Sequence, residues 1–406
     1  MMRETLSRRS FLTRSLVLGC SAAASPLITP ITLASAPGDN RLVVIILRGA
    51  MDGLDVLRPV GDPNFTTLRP SLAGEGLGLD NFFMLHPALE GLMPLWQAGE
   101  LAFVPATSTP YRDRRSHFDG QDHLEAGTAG VMPPALERDG WLNRLLTLLP
   151  GVDARTAFAV GRERMLILEG QAPITQWQPG TELDLSPQSR LLLGNLFAAD
   201  PLFAQAGMTA LDMTGAELPF DDEAEDEAEG AMMMGDTPAP PAGDTDTLAA
   251  YVAEQLRGGA RIASFSLSGW DTHRGQARAI LPALGRLQSA ILTLRDGMGP
   301  DWSRTTVLAM TEFGRTMREN GSAGTDHGTG GAMLLAGGAL RGGRMFGDWP
   351  GLAESDLYAG RDLMPLRDIR AYSGWAMRDL FGLAASDVAR VVFPGLEMDD
   401  NPRLFL

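Results

Sequence analysis

The feature that most constrains this chain is a series of short apolar runs, each abutting a polar motif that bears a carboxylate or an imidazole. Asp52 follows Leu42–Leu47 (LVVIIL), and Asp271 and His273 of GWDTH follow Arg261–Leu267 (RIASFSL). Glu312 of TEFGRT follows Thr305–Thr311, and His327 of GTDHG lies just before Ala332–Ala336. Apolar runs of this length between helical stretches read as strands buried on both faces of a parallel sheet. The ligand site of an open α/β sheet lies just beyond the carboxyl ends of such strands. Oxygen and imidazole groups gathered there predict a metal-assisted active site.

The rest of the chain fits the same alternation. Helical patterns are expected at His86–Gln97, from Ser116 as N-cap towards Glu125, and at Trp141–Leu149, Pro187–Leu196, Thr247–Arg257, Arg274–Met298 and Arg370–Phe381. Further strands are expected at Leu101–Val104 and Arg155–Val160. Alternating strands and helices predict a doubly wound, mostly parallel α/β sheet with helices on both faces. Seven of the nine residues from Asp221 to Glu229 are acidic. With the Met and Pro/Gly stretch after them they cannot bury enough apolar surface to order themselves, so about 217–246 reads as a disordered insertion in one domain spanning 37–406.

The N-terminus reads as an address. Ser7–Leu12 (SRRSFL) matches a twin-arginine signal, and Ala34–Ala36 supplies an A-x-A cleavage site, so 1–36 is expected to be removed and the protein to be periplasmic or secreted. The translocase is then a partner in export, and Pro26 and Pro30 break the apolar stretch too often for a stable membrane span. Cleavage would take away four arginines and Glu4, carrying the net charge from −16 to −19, together with Cys20, the single cysteine. Such a charge argues against nucleic acid, whose phosphates need a basic face. Without a thiolate, a metal must sit on carboxylates, imidazoles and water. No lysine is present, so arginines carry all anion recognition, for which their planar fork is suited.

On extended backbone, Asp271 and His273 share one face and can hold a divalent cation together. His327 stands in a glycine-rich loop, a setting unlike a packed core, which favours a ligand role; the loop lacks the ending of a phosphate-binding P-loop. Arg315, three residues after Glu312, suits an anionic substrate. Ser116 follows Arg114 and Arg115 at a helix start, where a hydroxyl can attack or hold an oxyanion, or simply cap the helix with Asp119 as its partner.

The motifs SRRSFL, LRGAMDGL, PYRDRRSHFDGQD, GWLNRLL, GWDTH, TEFGRT, GTDHGTGGAMLLAGG and GDWPGL together resemble the exported family called domain of unknown function 1501, across essentially the whole mature chain. That family is in turn similar to the alkaline phosphatase and sulfatase superfamily. The resemblance implies a doubly wound fold with a metal cluster at the strand ends. It implies Asp52, Asp271, His273, Glu312 and His327 as metal ligands, Ser116 as nucleophile, and Arg115 and Arg315 as anchors for the substrate oxygens. Oxygen and imidazole donors without sulfur suit Zn²⁺ or Mn²⁺, with Mg²⁺ or Ca²⁺ as alternatives, and the activity implied by the resemblance is hydrolysis of small phosphate or sulfate esters. Two departures stand out: Glu312-Phe313 replaces the superfamily's Asp-His pair, and Ser108 of STPYR echoes a sulfatase signature without its downstream Thr-Gly. A non-catalytic exported binding or assembly protein on a degenerate hydrolase fold is the alternative.

Overall fold

A computed structural model of the protein describes residues 38–112, 114–129, 132, 138–153, 156–160, 165–177 and 242–406. The leader read at 1–36, the helix expected at Pro187–Leu196 and the acidic stretch up to residue 241 lie outside them.

The frame is one sheet, nine-stranded among the described residues. Its strands are β1 (Arg41–Leu47), β2 (Leu101–Ser108), β3 (Ala157–Val160), β4 (Thr175–Trp177), β5 (Ile262–Leu267), β6 (Thr305–Met310), β7 (Gly331–Ala336), β8 (Arg344–Met345) and β9 (Arg367–Asp368). Their order is β8-β2-β7-β6-β1-β5-β3-β4, with β9 beside β2. β1 sits between β5 and β6 and runs parallel to both. Every residue of β1 is buried, and its side chains alternate between two cores. Val43, Ile45 and Leu47 enter one core, Leu42, Val44 and Ile46 the other. Each such side chain removed from water contributes roughly 1.5–3 kcal/mol, so the run that announces a strand also holds the two helical layers to it.

Five longer helices cover the faces: α1 (His117–Ala126), α2 (Trp141–Leu148), α3 (Ala242–Arg257), α4 (Leu281–Met298) and α5 (Ile369–Phe381). In α4, Leu284, Leu287, Ile291, Leu294 and Met298 recur at helical spacing and fill the Val43–Ile45–Leu47 core. Residues of α2 and α5 fill the other. The doubly wound α/β arrangement is therefore present, with helices on both faces. No helix among the described residues is long and apolar enough to cross a membrane.

Three elements differ from expectation, the first being the long helix at Arg274–Met298, which is two, Gln276–Ala279 and Leu281–Met298. His86–Gln97 is not one helix but a 3₁₀ stretch, Pro87–Leu92, followed by an α-turn, Met93–Ala98, with Leu89 outside helical geometry at φ −105° and ψ 22°. Pro94 removes an N–H from any continuous helix and its ring would strike the preceding turn. The strand at Gly331–Ala336 runs antiparallel to both its neighbours, β2 and β6. That reversal positions the site: residues that precede β7 arrive at the same sheet edge as residues that follow β1, β5 and β6.

Candidate metal centre

Beyond β5 the chain turns at Gly269, φ +89°, and again where the Thr272 N–H donates to the Trp270 carbonyl at 3.0 Å, with Trp270 and Thr272 turned inward at 0% and 4% exposure. The indole Nε1 of Trp270 donates to the Leu267 carbonyl at 3.0 Å, and the Thr272 hydroxyl pairs with Gln276 Oε1 at 3.0 Å. These inward anchors force Asp271 and His273 outward together, and His273 Nε2 lies 3.1 Å from Asp271 Oδ1. Gly49, after β1, packs directly against this segment. A Cβ there would stand 2.7 Å from the Asp271 nitrogen, and its φ of +114° is one a side chain resists.

His327 enters from the loop before β7. The sequence suggests a loose glycine loop; the structure packs it tightly, and a Cβ on Gly328 would lie 2.4 Å from the Arg315 carbonyl. The glycines serve close backbone approach. His327 Nε2 is 2.9 Å from His273 Nε2 and 3.2 Å from Asp271 Oδ1.

A third imidazole completes the group, from a residue that sequence reasoning gave no role. His117 is the first residue of α1, and its Nε2 lies 3.3 Å from Asp271 Oδ1. One donor atom from each of His117, Asp271 and His327 falls within 4.8 Å of the others. The signal was one residue from the serine singled out in R-S-H-F-D: a capped helix start fixes the residue after the cap as firmly as the cap.

The outer ring nitrogens settle which inner ones carry lone pairs. His327 Nδ1 is 2.9 Å from the Arg115 carbonyl, which can only accept, so Nδ1 carries the proton. His117 Nδ1 faces Glu312 Oε1 at 2.8 Å, and His273 Nδ1 faces Asp326 Oδ1 at 3.5 Å, again acceptors. Neutral rings so held point three Nε2 lone pairs at one carboxylate oxygen, an arrangement that repels itself unless a cation or protons lie between. His117 Nε2 is buried and has no hydrogen-bond partner among the described residues, because Asp271 is near but poorly aligned. His117 and His327, anchored through Nδ1, and Asp271 fit a divalent transition metal, and His273 stands beside that group at 39% exposure.

The electrostatics agree. Burial opposes a charge on His117, yet Asp271 and Glu312 outweigh it and push its pKa up to about 9. Burial likewise opposes charge on Asp271, but His117, His327 and Arg315 hold it well below the usual carboxylate range. His273 moves down, through burial and the positive neighbours Arg315 and His327, against the pull of Asp271. The site acts as a charge sink that a proton on His117 fills in the absence of metal.

The other expected residues have different work. Glu312 is fully buried behind His117. Its Oε1 accepts from Gly49 N–H at 3.0 Å and Gln121 Nε2 at 3.2 Å as well as facing His117, and Oε2 accepts from the Thr311 hydroxyl at 2.8 Å. It orients a ligand and does not reach the centre. Asp52 does not join the group at all. Oδ2 takes Arg69 Nη1 at 2.5 Å and Gln276 Nε2 at 2.6 Å, while Oδ1 takes Arg69 Nη2 and Leu54 N–H, both at 3.2 Å. Two of the five expected ligands, Asp52 and Glu312, are thus consumed by other partners, and the Phe313 ring packs 5.3 Å from both His117 and His327. Neither Asp52 nor Glu312 is among the described residues whose donor atoms cluster for a cation.

Arg315, expected to meet substrate, is 1% exposed with its fork spent inside the protein. It donates to the carbonyls of Gly49, Ala50, Trp270 and Thr325 and to Asp271 Oδ1, tying the ends of β1 and β5 to the His327 loop. Arg115 directs Nη2 to Asp362 at 2.9 Å and stays 27% exposed. Ser116 caps α1, accepting from Asp119 N–H at 3.4 Å, and donates its own N–H to the Tyr111 hydroxyl at 3.0 Å. Ser108 is buried, its hydroxyl on the Thr109 carbonyl.

The family model "Protein of unknown function (DUF1501)" matches residues 105–384, more than half of the chain and all the centre's histidines. No curated protein sequence matches. Solved structures with a similar fold include the PsFucS1 sulfatase from Pseudoalteromonas sp., at 11% identity and a TM-score of 0.39 over 90% of this chain and 74% of that one. A protein in the alkaline phosphatase superfamily from Vibrio parahaemolyticus follows at 13% identity and 0.34, over 74% of this chain and 60% of that one. The lipoteichoic acid synthase LtaP from Listeria monocytogenes gives 10% and 0.32, over 69% and 57%. Likenesses this slight transfer no residue roles.

Proposed function

This chain belongs to the DUF1501 family, whose description leaves the chemistry open, and we propose that the chemistry is metal-dependent hydrolysis of small phosphate or sulfate esters by an exported protein. The observation that carries this reading is the convergence of three Nε2 atoms, from His117, His273 and His327, on Asp271 Oδ1. Zn²⁺ or Mn²⁺ suits that donor set; Mg²⁺ and Ca²⁺ prefer all-oxygen shells. Once bound, the cation supplies Lewis-acid stabilisation of an anionic oxygen.

The chain's own groups supply the rest. Ser116 stands one residue from His117 at the start of α1, where free N–H groups favour negative charge. The Asp119 N–H donates to its Oγ and so favours the deprotonated hydroxyl. Attack by Oγ on phosphorus or sulfur forms a seryl ester and expels the alcohol; water then cleaves the seryl ester and restores the hydroxyl. Arg115, half-buried, is suited to a non-reacting oxygen, and Arg361 stands beside it on the same carboxylate, Asp362. The twin-arginine pattern at Ser7–Leu12 supports export to the periplasm or beyond.

Elemental analysis of natively produced protein tests the centre, with His117→Ala and His327→Ala beside it. Wild type is expected to carry one divalent ion per chain and each variant to lose it; a metal-free wild type sinks the reading. Turnover of aryl phosphates and aryl sulfates by wild type and Ser116→Ala then tests the nucleophile. One observation favours a second reading, a non-catalytic metal-dependent binding protein: the Ser116 hydroxyl is already used as a helix cap. Bound metal with no turnover on any ester would select it.

A further inference from the structure

We propose that Asp362 is the positioning residue of the metal centre, the buried carboxylate that holds the His327 ring where its Nε2 can ligate; this rests on the metal-centre reading above. Asp362 has no exposed surface. Its Oδ2 accepts from Arg115 Nη2 at 2.9 Å and from the Thr329 hydroxyl at 2.8 Å, and its Oδ1 accepts from Arg361 Nη1 at 2.8 Å.

Each of those partners also grips His327 or its loop. Arg115 offers its carbonyl to His327 Nδ1 at 2.9 Å, the bond that fixes the tautomer. Arg361 Nη1 donates to the His327 main-chain carbonyl, also at 2.9 Å. Thr329 lies two residues further along the same loop. One carboxylate thus holds the histidine by its ring, its backbone and its loop, without touching it.

The strain at Arg115 has the same origin. Its φ is 52°, a left-handed conformation that a residue with a Cβ keeps only when its surroundings impose it. The tether from its guanidinium to Asp362 imposes it and turns the carbonyl towards His327. Asp362 itself is fixed. Tyr358 N–H donates to its carbonyl at 2.9 Å, its own N–H returns to Tyr358 at 3.0 Å, and it bridges to Thr316. A fixed acceptor that sets the orientation of a ligating imidazole governs metal affinity in the way outer-shell carboxylates do.

The test uses full-length protein and three variants. Asp362→Asn keeps the shape and removes the charge, and Arg361→Gln cuts one link at a half-buried side chain. Asp62→Asn is the control, a carboxylate 7% exposed that holds Trp349 Nε1 and the Leu352 N–H. The readouts are the Zn²⁺ dissociation constant, the absorption spectrum of the Co²⁺ form and thermal unfolding of the metal-free protein. Asp362→Asn is expected to weaken Zn²⁺ binding by about tenfold to a hundredfold and to alter the Co²⁺ spectrum. Arg361→Gln should move both in the same direction by less, while Asp62→Asn lowers the unfolding temperature and leaves both unchanged. Wild-type affinity and an unaltered spectrum in folded Asp362→Asn overturn the proposal; if that variant does not fold, Arg361→Gln decides by the same criterion. If wild type binds no Zn²⁺, the metal-centre reading fails separately. The positioning claim is then read from ¹⁵N spectra of the His327 ring at a pH where imidazole is neutral. Loss of the Nδ1–H tautomer in Asp362→Asn supports it, and an unchanged ring overturns it.

Discussion

Two carboxylates, Asp52 and Asp271, follow neighbouring strands of one sheet, and their surroundings have made them opposites. Asp52 is 1% exposed, and its principal partner is Arg69, a permanent charge that is itself fully buried. Asp271 keeps 45% of its side chain exposed and is ringed by three imidazoles that can lose their protons. The first arrangement closes on itself and has no capacity for a ligand. The second has more donors than its protons can satisfy and gains from a cation. Topology brings a carboxylate to the sheet edge; the kind of positive partner beside it decides whether it is structure or site.

The largest effect that can break this comparison is on stability. Asp52→Ala leaves Arg69 buried without its counter-charge and is expected to cost about 3–5 kcal/mol, read by denaturant unfolding, while folded protein keeps its metal. Loss of the metal with the fold intact would place Asp52 in the centre after all. Next comes Glu312→Gln, which keeps an acceptor on His117 Nδ1 but removes the charge. Zn²⁺ affinity should fall by about tenfold or more in a chelator competition, and an unchanged affinity would deny Glu312 its orienting role.

A pH series on metal-free protein sharpens the contrast further. Asp52, Asp271 and Glu312 have folded-state pKa values below their ordinary ones, so their stabilisation is present at neutral pH and is lost as pH falls. His117 lies at about 9 against an ordinary 6.5, so its stabilisation is full below 6.5 and is lost as pH rises through about 9. The Asp52 region thus weakens on the acid side alone, the Asp271 region on both sides. The alkaline decline in unfolding temperature should shrink in His117→Gln; a decline of the same size would remove His117 as its source. The smallest effect is expected at Phe118, 85% exposed and next to His117. Phe118→Ala should change stability by less than about 0.5 kcal/mol and leave the metal content unaltered.

Much of this was legible in the sequence, for identifiable reasons. A strand buried on both faces is mainly apolar, so β1 declares itself, as do β5 and β6 despite their serines and threonines. The Asp271/His273 pair was legible from its spacing of two, although the chain turns across Asp271 and does not stay extended past β5. The direction of β7 was not legible, because a run buried on both faces reads the same either way. Nor was the fate of Asp52, whose partners Arg69, 17 residues on, and Gln276, far along the chain, belong to no motif. Arg315 misled because a charged residue after a strand suggests the crevice, while five backbone and side-chain acceptors drew its fork inward. His117 was not legible because a histidine just inside a helix start carries no spacing signal towards Asp271, 154 residues on.

The reversal of β7 has a consequence for how the centre comes together. β6 and β7 are adjacent and antiparallel, so Thr311–Gly330 is a hairpin connection, and it carries Glu312, Arg315 and His327. Closing a loop of about twenty residues costs little entropy and is fast. Asp271 and His117 arrive from elsewhere, through parallel pairing and helix docking that close much longer stretches of chain. One of its four groups, His327, thus lies on a short connection with its supports Glu312 and Arg315, while Asp271, His273 and His117 come from segments far along the chain, and Arg315 ties that connection to the ends of β1 and β5.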